Sequence, residues 1–203
     1  MKTPLHLLPL LALLIVNPLL AQGDPAADWE ARARKATEQR MAYAASADYN
    51  PYDSKSRDFQ KAVYELVEKK KFPEAIAEAK KGLTFAPHDI DLLIALATAH
   101  RDAGDIANAD KTREQWMALV DSILRSGDGR DFATAFQVIS VAEEYAVLRV
   151  LGLQIVRQTL DAHEGSEFDV VTAKNRKTGA EQVLYFNINL PKKWLNKQFA
   201  GQK

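Results

Sequence analysis

The feature that most constrains this chain is an internal repeat. Phe72-Pro73-Glu74-Ala75-Ile76 realigns with Ile106-Ala107-Asn108-Ala109-Asp110, so that Ala75 falls on Ala109. A period of about 34 residues is one helix-turn-helix unit, and its small residues stand where two helices cross too closely for a larger side chain. In the first unit Phe59, Ala62, Val63 and Leu66 form the packing face of a first helix. Ala75 and Ala79 lie on a second, and Pro87 ends it. In the second unit Leu93, Leu96 and Ala97 lie on the first helix, Gly104 breaks the chain, and Ala109 and Trp116 lie on the second. Upstream, Asp28 to Ala45 is rich in Ala, Glu, Arg and Lys, with Trp29, Ala33, Ala36 and Met41 near helical spacing, and predicts an amphipathic helix. Tyr49-Asn50-Pro51-Tyr52-Asp53 stops it, because a residue before proline is pushed out of the α region, and Ser54 or Ser56 caps the next helix.

Over two units the chain resembles tetratricopeptide repeats. Lys70 stands where a Gly is usual there, Gly82 where an Ala is usual, and Asp121 where the second Pro would be. The next step puts Gly127-Asp128-Gly129 where a third unit should begin. Two units cannot bury a solenoid core alone, so the Trp29 helix and the C-terminal half are the expected caps. First-helix residues not used in packing line a concave groove: Gln60, Tyr64 and Val67 from one unit, Asp91, Ile94, Thr98 and Arg101 from the other. Its mixed apolar, aromatic and charged chemistry suits a peptide better than a phosphate, unless a cap of the chain's own fills it.

The stretch from Met1 to Gly23 has a different character. Lys2 precedes a Leu-dominated run, Pro4 to Leu20, without Asp, Glu, Lys or Arg, which is the pattern of a cleaved export signal. Cleavage follows Ala21 or Gly23. An uncleaved anchor is the alternative, but Pro9, Asn17 and Pro18 interrupt a stretch already short for a bilayer. Removal takes one Lys from balanced totals and leaves a near-neutral mature chain with no stable membrane insertion.

Beyond Leu124, Ser126-Gly127-Asp128-Gly129 breaks the chain and the composition changes. Ser140-Val141-Ala142-Glu143 fits a capping box, so a helix runs from Val141 to about Leu151, where Gly152 ends it. Leu153 to Leu160, Phe168 to Ala173 and Glu181 to Leu190 follow as strands, although the first segment could instead prolong the helix past Gly152. In the third, Leu184, Phe186, Ile188 and Leu190 share one face. Pro191 ends it, and Trp194, Leu195 and Phe199 suggest a short closing helix. His163 to Ser166 and Asn175 to Gly179 are turn chemistry, which gives a three-stranded antiparallel meander. The expected fold is α+β: an export segment over 1–23, a helical repeat-like region over 24–126, and an α+β region over 127–203 packed on it.

Candidate chemistry is sparse. Without Cys there is no disulfide or thiolate metal site, and equal basic and acidic totals of 27 leave no field for nucleic acid. Glu143-Glu144-Tyr145 is the most site-like cluster, two carboxylates beside a phenol, but neighbouring helical residues point about 100° apart. The simplest assignment has Glu143 completing the cap, Glu144 solvated or paired, and Tyr145 packed. His88, His100 and His163 show no close ligand spacing, Asp102, Asp105 and Asp110 do not match a calcium loop, and Lys69-Lys70-Lys71 with Lys80-Lys81 reads as solvated surface. No metal or cofactor is expected.

The export segment, Tyr49-Asn50-Pro51-Tyr52, the repeat-like helices, Glu143-Glu144-Tyr145 and Tyr185-Phe186-Asn187-Ile188 together resemble a family of exported bacterial proteins known only as a domain of unknown function. That resemblance implies a Gram-negative periplasmic or secreted location and carries over no catalytic residue. The expected function is a non-enzymatic protein or peptide interaction module of the envelope, using Tyr64, Asp91, Thr98 and Arg101. The alternatives are a small-ligand or envelope-polymer binder near Glu144, Tyr145 and Tyr185, and an envelope hydrolase using Glu143 or Glu144.

Overall fold

The computed structural model describes residues 25–200, and the export segment with both expected cleavage points lies outside the described residues. Helix α1 (Pro25–Ala45) is followed by two hairpins, α2 (Lys55–Glu68) with α3 (Phe72–Phe85) and α4 (Ile90–Asp102) with α5 (Ile106–Leu124). The second helices of the two hairpins begin at Phe72 and Ile106, the same offset that carries Ala75 onto Ala109. Ala75 and Ala79 are fully buried and Ala109 nearly so, as close helix crossing requires.

The departures from the repeat pattern have physical causes. At Gly82 a Cβ would lie 2.6 Å from Leu92 Cδ2 and 2.8 Å from Phe59 Cγ, so even an alanine is too large. Lys70 and Gly104 occupy the same turn position in the two hairpins and both have left-handed φ, 57° and 81°. The turn bonds match: Lys71 N–H donates to Leu66 C=O and Asp105 N–H to His100 C=O, each at 2.9 Å. This closure needs one left-handed residue, which Gly supplies at no steric cost and Lys does not. At the start of α2, Ser54 makes no side-chain cap and Ser56 is buried within the helix. Asp53 takes the role instead, its Oδ1 accepting the Lys55 N–H at 2.9 Å.

Helix α6 (Val141–Val150) ends at Gly152, whose φ of 69° turns the chain into a strand, so Leu153 to Leu160 does not prolong the helix. Strands β2 (Leu153–His163), β3 (Ser166–Asn175) and β4 (Glu181–Asn187) form the expected antiparallel set, but the sheet is four-stranded and mixed. A short β1 (Phe136–Gln137) adds parallel to β4, giving the order β1-β4-β3-β2, with Phe136 opposite Phe186 and Gln137 opposite Asn187. So short a strand carries no readable period. Its placement depends on Gly129, which accepts the Tyr185 N–H at 2.9 Å, has φ of 69°, and leaves no room for a Cβ against the Phe136 ring. Strand β4 stops at Asn187 instead of Leu190, and Pro191 lies in the first turn of α7 (Asn189–Ala200), where its missing N–H removes no helical bond.

One hydrophobic core joins Ala36 of α1, Leu93 of α4, Ile123 of α5, Val147 of α6 and Val171 and Phe186 of the sheet. A second, of Val63, Ala75, Leu92 and Leu96, holds the hairpins together. The α1 helix and the α6–sheet half therefore cover the second hairpin, as two isolated units require. Among the described residues no helix is long and apolar enough to cross a membrane.

A buried ion pair crosses the core. Arg40 of α1, 1% exposed, donates from Nε to Glu143 Oε1 at 2.7 Å and from Nη2 to Glu143 Oε2 at 2.6 Å. It also donates to Ser122 Oγ at 3.1 Å and to the Gln137 carbonyl at 2.9 Å. Ser140 caps α6 as its spacing predicts, accepting the Glu143 N–H. Glu143 does not complete the capping box: its carboxylate takes the Ile139 N–H at 2.8 Å and the guanidinium.

Two stability measurements test this account. Lys70→Gly removes a left-handed side chain and should raise stability by about 1 kcal/mol, read as a higher denaturant midpoint. Arg40→Ala leaves Glu143 charged and unpaired in the core and should cost about 3–5 kcal/mol. Arg40→Lys, which keeps the charge and loses the fork, should recover only part of it.

Candidate functional site

The three residues of the Glu-Glu-Tyr cluster diverge, and the structure inverts the simplest assignment. Glu144 is fully buried and Tyr145 is exposed. Successive helical positions rotate by about 100°, so Glu143 turns to α1, Glu144 to the sheet and Tyr145 to solvent along the sheet edge.

Strand alternation brings the partners of Glu144. In β3, Asp169 shares a face with Val171 and Ala173, and Leu160 of β2 and Phe186 of β4 stand directly opposite Asp169. Gln158, opposite Val171, lies on the same face, and its Nε2 donates to Asp169 Oδ2 at 2.8 Å and approaches Glu144 Oε2 at 3.4 Å. Fixing that amide turns Gln158 Oε1 outward, where it accepts the Tyr145 hydroxyl at 3.3 Å. Among the described residues Glu144 Oε1 has no nitrogen or hydroxyl donor. Burial pushes the Glu144 carboxyl up to about 9, with the Asp169 charge and a shared hydrogen bond to Asp169 adding to it. Glu144 is therefore a neutral acid at pH 7, and its proton reconciles two buried carboxyl groups that could not both be charged.

The rim beside this pair is aromatic. The Tyr52 ring lies 5.8 Å from that of Trp194. Its phenol is pushed up first by burial, while Lys192 opposes and Glu144, Asp169 and Glu167 add to the rise. Lys192 is paired with Glu167 at 3.0 Å. Tyr185 does not join the cluster. It projects from the opposite sheet face, where Phe132 packs at 4.8 Å against it and at 5.0 Å against Phe168.

The concave-face residues are dispersed in function. Asp91 is ion-paired to Arg149 of α6, and Ile94 packs against the main core. Thr98 Oγ1 donates to its own helix at Ile94 C=O, 2.9 Å away. Tyr64 and Arg101 remain exposed, Arg101 beside Asp102 at 3.0 Å. The histidines serve the fold: His88 packs on the Tyr43 ring and burial lowers its pKa, His100 Nδ1 lies 2.9 Å from Asp105, and His163 stacks on Phe132. Among the described residues no three His, Asp or Glu side chains converge as a metal site.

Asp169, Gln158 and Arg40 stand in no motif of the sequence, and Tyr52 stands there only in the Tyr49-Asn50-Pro51-Tyr52 segment, with no site role. The signal for Asp169 is an acid at alternate spacing with Val171 and Ala173, on the strand face those two residues make apolar. A groove of about 570 Å³ between α1, α3 and α5, lined partly by Lys35, Lys111 and the ion-paired Arg32 and Glu114, also left no sequence signature.

The raised Glu144 pKa fixes a pH signature. Because the folded value lies above the unfolded one, its contribution is complete below about pH 4.5 and is lost as pH rises through the interval to about 9. Glu144→Gln, permanently neutral, should flatten that part of the stability–pH curve and be more stable than wild type at pH 9, as thermal midpoints across the interval would show.

The profile of a family described as Domain of unknown function (DUF4919) matches residues 36–197. No curated protein and no solved structure matches the chain. The matched stretch runs from within α1 into α7 and holds Arg40, Glu143, Glu144, Gln158 and Asp169, and the chain belongs to this family of unknown function.

Proposed function

We propose that this is an exported, non-enzymatic binding protein of the cell envelope whose contact surface is the aromatic rim over Glu144 and Asp169. One observation carries it: the exposed Tyr145 ring is held by Gln158, whose amide is in turn oriented by two fully or nearly buried carboxyl groups. Burying an acid pair costs free energy, and here it supports a surface aromatic. A ring fixed before binding loses little entropy on contact, which is what recognition surfaces require. Exposed tyrosines beside amide and carboxyl groups suit an uncharged polyhydroxylated ligand, which lays an apolar face on the ring and hydrogen-bonds at its edge. An envelope glycan has that chemistry, and a chain with balanced charge has no field to favour a polyanion.

Catalysis by the paired glutamates is disfavoured on geometry. Glu143 already accepts two guanidinium bonds and a backbone N–H, and Glu144 has no exposed surface from which to reach a scissile bond. The concave helical face is the second surface, supported by the exposure of Tyr64 and Arg101.

Calorimetric titration of residues 24–203 with neutral N-acetylglucosamine oligosaccharides separates these readings. Binding should occur, fall at least about tenfold in Tyr145→Ala, the loss of one hot-spot aromatic, and persist in Tyr64→Ala combined with Arg101→Ala. No binding, or the reverse pattern in the two variants, overturns the assignment. Cleavage of the oligosaccharides that Glu144→Gln abolishes would make the protein a hydrolase.

A further inference from the structure

Strand β2 is the long open edge of the sheet. It spans Leu153–His163 and among the described residues pairs only with β3, so the outward amide and carbonyl groups of its other side have no strand partner there. The Ala162 N–H turns to its neighbour instead, donating to Asp161 Oδ1 at 2.8 Å. Open edges are commonly blunted by charged side chains, Pro or β-bulges; β2 has no Pro, its bulge is confined to Ile155–Arg157, and its only formal charges are Arg157 and Asp161. It exposes Leu160, at 66% its most exposed large apolar side chain, and Val156.

The two charges on this edge are of opposite sign. Arg157 and Asp161 stand symmetrically about Thr159, and neither has an ion-pair partner among the described residues. In an antiparallel pairing of two β2 strands about a two-fold axis at Thr159, each Arg157 faces the other strand's Asp161, and each Gln158 faces the other's Leu160. A two-fold centred one residue either way puts Thr159 opposite one of these charges and leaves the other opposite Ile155 or His163. The register between Arg157 and His163 is regular, since the β-bulge lies at Ile155 to Arg157, before the paired segment. At the far end of the sheet β1 is only Phe136–Gln137, so a two-fold union of β2 edges uses the one long edge and closes without propagating into a fibre.

We infer that the protein forms a two-fold homodimer by antiparallel pairing of β2 with β2 of a second copy, in the register that matches Arg157 with Asp161. The pairing joins two four-stranded sheets into one of twice the width. It also sets the second copy's Leu160 beside Gln158, the residue that holds Tyr145, but it stands on the edge geometry alone and does not depend on the ligand-binding proposal.

Sedimentation velocity of residues 24–203 over a concentration series, with circular dichroism to verify folding, tests it. Wild type should be dimeric at high concentration and dissociate on dilution. Arg157→Asp and Asp161→Arg each place like charges across the axis and should be monomeric while folded, since both positions are exposed. The combined Arg157→Asp and Asp161→Arg variant restores the complementarity and should dimerise again. A monomeric wild type, a dimer that survives either single reversal, or a double variant that stays monomeric overturns the inference.

Discussion

The structure depends on one buried fork, Arg40 with Glu143. Its guanidinium reaches the start of α6, the Ser122 hydroxyl of α5 and the carbonyl that follows Phe136, so a single side chain joins the first helix, the second hairpin and the sheet. Removing two charges from water is expensive, and only such a complete set of partners offsets it. Tyr49, whose hydroxyl donates to the Ile139 carbonyl at 2.6 Å, ties the turn after α1 to the same loop that gives Glu143 its backbone donor. The α1 helix is thus a cap fastened by polar bonds at one end and by the small faces of Ala33 and Ala36 along its length.

That clasp explains which parts of the architecture were legible from residues and which were not. Local rules worked where contacts are local: the offset from Ala75 to Ala109 placed both hairpins, Ser140 capped α6, and Gly152 separated helix from strand. They failed where the partner is far along the chain. Arg40 is an ordinary helix former by composition, and only a carboxylate 103 residues away makes it a core residue. The pair of residues in β1 has no periodicity of its own and takes strand form because β4 offers an edge and Gly129 leaves room for Phe136.

The candidate site shows the same division at finer scale. Glu143-Glu144-Tyr145 is recognisable as unusual, yet both glutamates are buried, and which of them is ion-paired and which is a neutral acid depends on whether α1 or the sheet lies over each face of α6. The assignment of Tyr145 as a packed residue failed because β2 runs past it and leaves its ring at the sheet edge. Asp169 sat unremarked within a strand, since a strand pattern is judged by its apolar majority. The combination of an unpaired buried oxygen, a neighbouring carboxylate and an exposed tyrosine exists only once helix and sheet are packed together.

The parallel pairing of β1 with β4 also orders events along the chain. Both hairpins are built from contacts within one repeat unit or between adjacent units, and such contacts form early because they close short loops. Phe136 meets Phe186 only after α6, β2 and β3 have intervened, and the Arg40 fork closes a longer span still. The strand that completes the sheet is therefore the last long one to leave the ribosome. Until it does, β3 has an open edge and Phe136 lacks its partner Phe186, and the length of that interval is set by how far β4 lies beyond β1 along the chain.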